Sequence, residues 1–321
     1  MLRRNLMKLP LALAAVTALG TGVVFAQDAD KKVTIGVAIP SATHGYMGGL
    51  NWHAQQSIER LKTVYPNIEF VLSTAGDSSK QVNDVEDMLA TRNIDGLVIL
   101  PFESEPLTPT VKAVKDAGKF VTVVDRGLSE EGIEDLYVAG DNSAFGRVAG
   151  EWFRDNVGGG KKIVVLRGIP TTLDNERVEA FQKALEGSDV QILDMQHGNW
   201  NRDDAFKVMQ DYLTKYPEID GVWAADDDMA TGVLEAISAA GRDGIPVVGG
   251  AGMKEIVKRI MDKDPVLPVD VTYPPAQISA AIEMTALHFV SSAPMAGRYI
   301  IGSQLITPEN AERFYFPDSP F

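Results

Sequence analysis

The stretch FVTVVDRG, Phe120 to Gly127, is an apolar and β-branched run that ends in a carboxylate beside a guanidinium, Asp125 and Arg126. A carboxylate only accepts hydrogen bonds, and a guanidinium donates them in a planar fork. Together they satisfy neighbouring hydroxyls, each of which donates one bond and accepts others. A plain strand stop or a structural ion pair is the simpler alternative. Other apolar runs end in the same manner. His44 follows VTIGVAIP, Asp141 and Asn142 follow YVAG, Trp200 and Asn201 follow VQILDMQ, and Asp226 to Asp228 follow VWAA. Arg177 lies just inside the helix expected after VVLRG. The run DDDMA also has the form of an N-cap and acidic first turn. Asp226 is taken as the ligand group there, Asp227 and Asp228 as capping, and Asn142 as a cap.

Other chemistries lack their residues. The chain has no cysteine, which excludes disulfides, thiolate nucleophiles and cysteine-held zinc. Its 4 histidines, His44, His53, His197 and His288, form no pair with metal-ligand spacing on a helix face. Neither GxSxG nor HExxH occurs. The GGGKK at Gly158–Lys162 precedes a strand and lacks P-loop spacing. The aspartate run lacks EF-hand spacing, so no metal and no cofactor is expected.

The elements that would carry these groups alternate. VTIGVAIP, IEFVLST, IDGLVILPF and KFVTVVD are short apolar strands. Between them lie helical patterns such as Leu50, Ala54, Ile58, Leu61 and Val82, Val85, Met88, Leu89. Strands apolar on both faces, alternating with helices, indicate a parallel sheet covered on both sides. The pattern then repeats: NIDGLVIL (Asn93–Leu100) resembles EIDGVWAA (Glu218–Ala225), and KKVTIGVAIP resembles KKIVVLRGIP. The α/β chain is therefore expected to hold two similar Rossmann-like three-layer domains, with ligands at the carboxyl ends of the strands. At 321 residues it has the length for two domains, and 45% hydrophobic with 23% charged residues is ordinary for a globular protein. A formal net charge of -14 argues against nucleic acid or an anionic membrane as partner and suits a soluble monomer. Residues 1–26 read as a cleaved signal peptide: Arg3, Arg4 and Lys8, an apolar run, then Val24 and Ala26 before Gln27. The mature chain is thus expected in the periplasm.

In HGYM, VVDRG, VAGDN, IPTTLDNERVEAF and IDGVWAADDDMATGVLEA, in that order and spacing, the chain resembles the ribose-type periplasmic sugar-binding proteins of bacterial ABC transporters from Val33 to Pro308. The resemblance implies a periplasmic binding protein-like fold whose lobes are joined by a three-segment hinge. The lobes are expected at 27–140 plus 274–297 and at 141–273 plus 298–321, with hinge strands near Asp141, Tyr273 and Arg298. By position it implies that Asp125 and Arg126 grip the sugar, that Arg177 reaches ring and hydroxyl oxygens, that Trp200 covers the ligand, and that Tyr46 and Met47 stand at an aromatic pair. Asp226 and His44 stand where asparagine is common, Tyr273 at a hinge glutamine, and Ala251 at a frequent aspartate. These departures argue against ribose and for another small neutral sugar or sugar alcohol, passed to an ABC permease. The same fold also serves chemoreceptors, which the sequence leaves open. An exported enzyme using Asp125 and Asp226 as a carboxylate pair is the rival reading. A sugar-sensing repressor would need a DNA-binding segment where the signal peptide stands.

Overall fold

The computed structural model describes residues 32–42, 44–157, 161–291 and 295–321. The expected signal peptide at 1–26 lies outside the described residues. Strand and helix alternate from the start: β1 (Val33–Pro40), α1 (Gly45–Val64), β2 (Ile68–Ala75), α2 (Ser78–Ala90), β3 (Gly96–Ile99), α3 (Ser104–Asp116), β4 (Phe120–Val124) and β5 (Leu136–Gly140). The second run is α4 (Asn142–Asn156), β6 (Lys162–Arg167), α5 (Thr172–Ala184), β7 (Gln191–His197), α6 (Arg202–Lys215), β8 (Gly221–Ala224), α7 (Asp227–Ala239), β9 (Val247–Val248) and α8 (Lys254–Met261). The chain closes with β10 (Asp270–Val271), α9 (Gln277–Val290), β11 (Gly297–Ile301) and β12 (Leu305–Ile306).

The strands form one six-stranded sheet, in order β11-β5-β4-β3-β1-β2, and one four-stranded sheet, in order β7-β6-β8-β9. All pairings within both are parallel. Parallel order follows from strands apolar on both faces: β3 and β4 are buried at every position, and so is β8. The sequence repeat has one physical job in both sheets. Asp95 accepts from the backbone N–H of Thr34 at 2.9 Å, and Asp220 accepts from that of Lys162 at 2.9 Å. Each IDG carboxylate thereby ties the start of its strand to the first strand of its sheet.

Three segments pass between the sheets and are bonded to one another. The N–H of Asp141 donates to Ile301 O at 2.9 Å, and Ser303 Oγ donates to Asp141 O at 3.1 Å. The N–H of Thr272 donates to Gln304 O at 2.9 Å, and β10 pairs antiparallel with β12. Two of these crossings lie near Asp141 and Tyr273. The third lies further on, because β11 stays paired with β5 through Ile301, past Arg298. Among the described residues no helix is long and apolar enough to cross a membrane.

The helices of the second sheet set the position of one candidate site residue, Arg177, through close backbone approach. A Cβ added at Gly146 on α4 would lie 1.8 Å from the carbonyl oxygen of Arg177 on α5. In a free helix, Gly→Ala stabilises by about 1 kcal/mol. Here the sign should reverse: Gly146→Ala is expected to destabilise by about 1–3 kcal/mol as the α4–α5 contact is forced apart, read as a lowered melting temperature. An unchanged or raised value would show that the close approach is not rigid.

Candidate functional site

Asp125 is the first residue after β4, and its φ of 60° puts it in the left-handed region. That conformation is uncommon for a residue with a Cβ and is held by surrounding bonds. The N–H of Asp125 donates to Val138 O at 2.9 Å, and its own carbonyl accepts from Tyr137 Oη at 2.5 Å. The turn separates Asp125 from its neighbour. Arg126 Nη1 donates to Phe102 O at 2.7 Å, while Asp125 Oδ1 accepts from the Tyr273 hydroxyl. The structural ion pair named as the simpler alternative is therefore not formed between these two side chains, because the left-handed turn sends them to different partners.

Arg177 comes from the second sheet's side, on α5. Its Nε donates to Asn142 Oδ1 at 2.8 Å and its Nη1 to Ala225 O at 3.1 Å. The guanidinium carbon stands 4.3 Å from the Phe145 ring centre and 4.4 Å from that of Tyr273. Two aromatic faces and two directed bonds hold a charge that is only 6% exposed. Asn142, expected as a cap, does not cap: Asp141 does, accepting from the N–H of Ala144 at 2.8 Å. Asn142 instead bridges, since its Nδ2 also donates to Tyr273 Oη at 3.3 Å.

The three aspartates at the start of α7 separate. Successive helical residues are turned by about 100°, so their carboxylates serve three places. Asp226 is the cap, accepting from the N–H of Met229 at 3.1 Å. Asp227, expected to cap, accepts from the N–H groups of Gly250 at 2.8 Å and Met253 at 2.7 Å, fixing the loop that carries Ala251. Asp228, also expected to cap, faces the other sheet's helix α1: its Oδ2 is 3.9 Å from His44 Nδ1, and its Oδ1 is 3.7 Å from Arg202 Nη2. Trp200 follows Asn199 in a pair of left-handed residues, φ 57° and 52°, which fold the indole over Gly168. A Cβ at Gly168 would lie 2.1 Å from the indole.

These groups meet in one partly open cleft whose cavity volume is about 40 Å³. His44, Tyr46, Met47, Asp125, Arg126, Arg177, Trp200, Asp226 and Tyr273 all line it, together with Leu173, Gly250 and Ala251. Sequence reasoning passed over Gln277, which stands behind Tyr46, donating to its hydroxyl at 2.6 Å and accepting from the N–H of Gly140 at 3.0 Å. It also passed over Phe321, whose ring meets Tyr46 edge-on at 5.7 Å. No local signal marks either residue. Among the described residues no group of three or more acidic, histidine or cysteine side chains could hold a metal ion.

Burial governs the ionisation of the site. It pushes the Asp226 carboxyl well above the usual carboxylate range, reinforced by Asp228 and Asp227. It pushes the Tyr46 and Tyr273 phenols up, with Asp125 adding to both, so they remain neutral. It lowers the His44 imidazole, which Asp228 partly offsets. Beneath the cavity, burial raises Asp227 to about 6 and Asp270 well above its ordinary value. Asp270 Oδ1 is buried without a donor, so a proton held by Asp270 and shared with Asp227 relieves both.

Residues 35–290 match the family model for the periplasmic binding protein domain. The ribose import binding protein RbsB of Bacillus subtilis is 30% identical over 234 residues, 73% of this chain and 74% of that one. The xylitol-binding protein of Mycolicibacterium smegmatis is 29% identical over 255 residues, 78% and 70% of the two chains. A crystal structure of an ABC transporter solute binding protein from Mycobacterium smegmatis with bound glycerol superposes with a TM-score of 0.78 at 28% identity, covering 90% of this chain and 98% of that one. The chain belongs to the periplasmic binding protein family, and its two-sheet α/β fold is the fold of that family.

The Asp227–Asp270 pair makes stability depend on pH. Both carboxyls titrate above the roughly 3.9 of an unfolded aspartate. The folded chain thus holds protons that the unfolded chain releases, and stability falls as pH rises from about 4 through the Asp227 value of about 6. Asp270→Asn keeps a donor beside Asp227 without a proton to lose. It is expected to flatten the fall in melting temperature over that window. An unaltered slope would show that the pair is not its source.

Proposed function

We propose that this periplasmic binding protein is the solute-binding component of an ABC importer, taking a small neutral monosaccharide or sugar alcohol between its lobes and presenting it to a membrane permease. The observation that supports this reading most is the mixture of donors and acceptors in the cavity. Two guanidiniums, Arg126 and Arg177, face the Asp125 carboxylate and the Asp226 carboxyl, which burial pushes toward its neutral form, in a space lined by both halves of the chain. Such a set matches an uncharged ligand rich in hydroxyls, since each hydroxyl finds an acceptor and a donor. Trp200 and Tyr46 supply the aromatic planes on which C–H faces pack. Relatives named for ribose and xylitol, and one holding glycerol, belong to the same chemical class.

The lobes as proposed divide near Asp141, Tyr273 and the segment after Ile301. Ligand bridging them favours the closed form by its differential affinity for that form, and the permease, or a chemoreceptor, reads the closure. Periplasmic delivery rests on the signal peptide expected at 1–26. A second reading follows from the raised Asp226 carboxyl, since a carboxyl kept toward its protonated form is what a general acid requires. Recovery of bound sugar unchanged after long incubation separates binding from turnover.

Thermal shift of the chain from Gln27 onward against sugars, polyols, amino acids and polyamines tests the proposal. Ligand at about 100 times its dissociation constant adds about 2.7 kcal/mol, a shift of a few degrees. The hit should be a sugar or polyol, and Asp125→Ala or Arg177→Ala should weaken it about tenfold to a hundredfold, as loss of charge-assisted bonds requires. A response confined to amino acids or polyamines would overturn the reading.

A further inference from the structure

We infer that Tyr273 sets the length of the ligand, so that the cavity takes short polyols, glycerol- to tetritol-sized, in preference to hexitols and hexoses. The inference rests on the sugar-or-polyol reading above and concerns the same cavity. Tyr273 follows β10 at the second crossing and enters from the hinge side, where it is 3% exposed. The end of β5 is cleared for it: a Cβ at Gly140 would lie 2.1 Å from the ring. The Phe145 ring meets it edge-on at 5.9 Å, and the Arg177 guanidinium covers it at 4.4 Å. Gly140, Phe145 and Arg177 thus hold the ring on three sides.

Its hydroxyl already does what a ligand hydroxyl would do. It donates to Asp125 Oδ1 and accepts from Asn142 Nδ2. Burial keeps the phenol protonated, so it remains a donor. Arg177 has committed Nε and Nη1, and Arg126 has committed one bond to Phe102 O. What remains for a ligand is the second oxygen of Asp125, the second oxygen of Asp226, and the free N–H groups of the two arginines, all in the cleft that Tyr273 also lines. A long chain or a six-membered ring would need the space the phenol fills. Displacing it would also unpair Asn142 and strip one face from Arg177.

Calorimetry of the purified protein with glycerol, erythritol, xylitol, sorbitol and glucose tests this, using wild type, Tyr273→Phe and Tyr273→Ala. The wild type should prefer erythritol to sorbitol and to glucose by about tenfold or more, the scale on which pockets discriminate by size. Tyr273→Ala should reduce or reverse that preference. Tyr273→Phe keeps the ring and should keep the order while altering affinity. If Tyr273→Ala does not fold, Tyr273→Leu, which removes the phenol and leaves an apolar filler, should show the same shift. Wild type binding sorbitol or glucose as tightly as erythritol overturns the inference alone, as does an order unaltered in the folded Ala or Leu variant. Silence across every polyol and sugar overturns the proposed function, and this inference with it.

Discussion

Arg177, Asn142, Tyr273 and Asp125 form one continuous chain of hydrogen bonds, and the cavity depends on it. Arg177 donates to Asn142, Asn142 to the Tyr273 hydroxyl, and the hydroxyl to Asp125. The chain begins on a helix over the four-stranded sheet, passes through two of the crossings, and ends at the tip of a strand in the six-stranded sheet. An uncompensated charge in such a place would cost several kcal/mol. Here the guanidinium and the carboxylate are linked through two neutral groups, and aromatic faces cover the guanidinium. Both ends are thereby held in one geometry within the cavity.

A second constraint runs beneath it. Four aspartates, Asp226 to Asp228 at the start of α7 and Asp270 on β10, are buried close to the cavity. Like charges so close cannot all ionise, and burial drives the same way. The helix N-terminus stabilises part of this charge through its free N–H groups, and Asp226 and Asp227 each take backbone donors. Protons held by Asp270 and Asp226 relieve the rest. The outcome is a floor whose acidic groups are partly neutralised by protons and partly held by backbone donors.

Strand-end reasoning reached Asp125, Arg126, Arg177, Trp200, Asp226 and His44 because parallel sheets deliver their carboxyl ends to one side, whatever the loops do in detail. It misjudged what those residues bond to. Adjacent Asp125 and Arg126 part company at a left-handed residue, and three consecutive aspartates fan out around a helix. Neighbours in sequence are not neighbours in space when one backbone angle changes sign or when a helical turn intervenes. Asn142 had the sequence context of a cap, but the preceding aspartate takes that role and frees it for Arg177.

The alternation of apolar strands and amphipathic helices, the doubled IDG segment and the polar residues at strand ends are local, so the sequence alone determined two parallel α/β units and the strand ends at which the cavity lies. Period and composition suffice for that because burial on both faces leaves a strand little choice of residue. The partners of the site were decided only by tertiary structure. Tyr273 meets Asp125 across 148 residues, and Gln277 meets Tyr46 across 231. Such contacts arise where three crossings bring the two sheets together, and no spacing within any one segment encodes the distance between them.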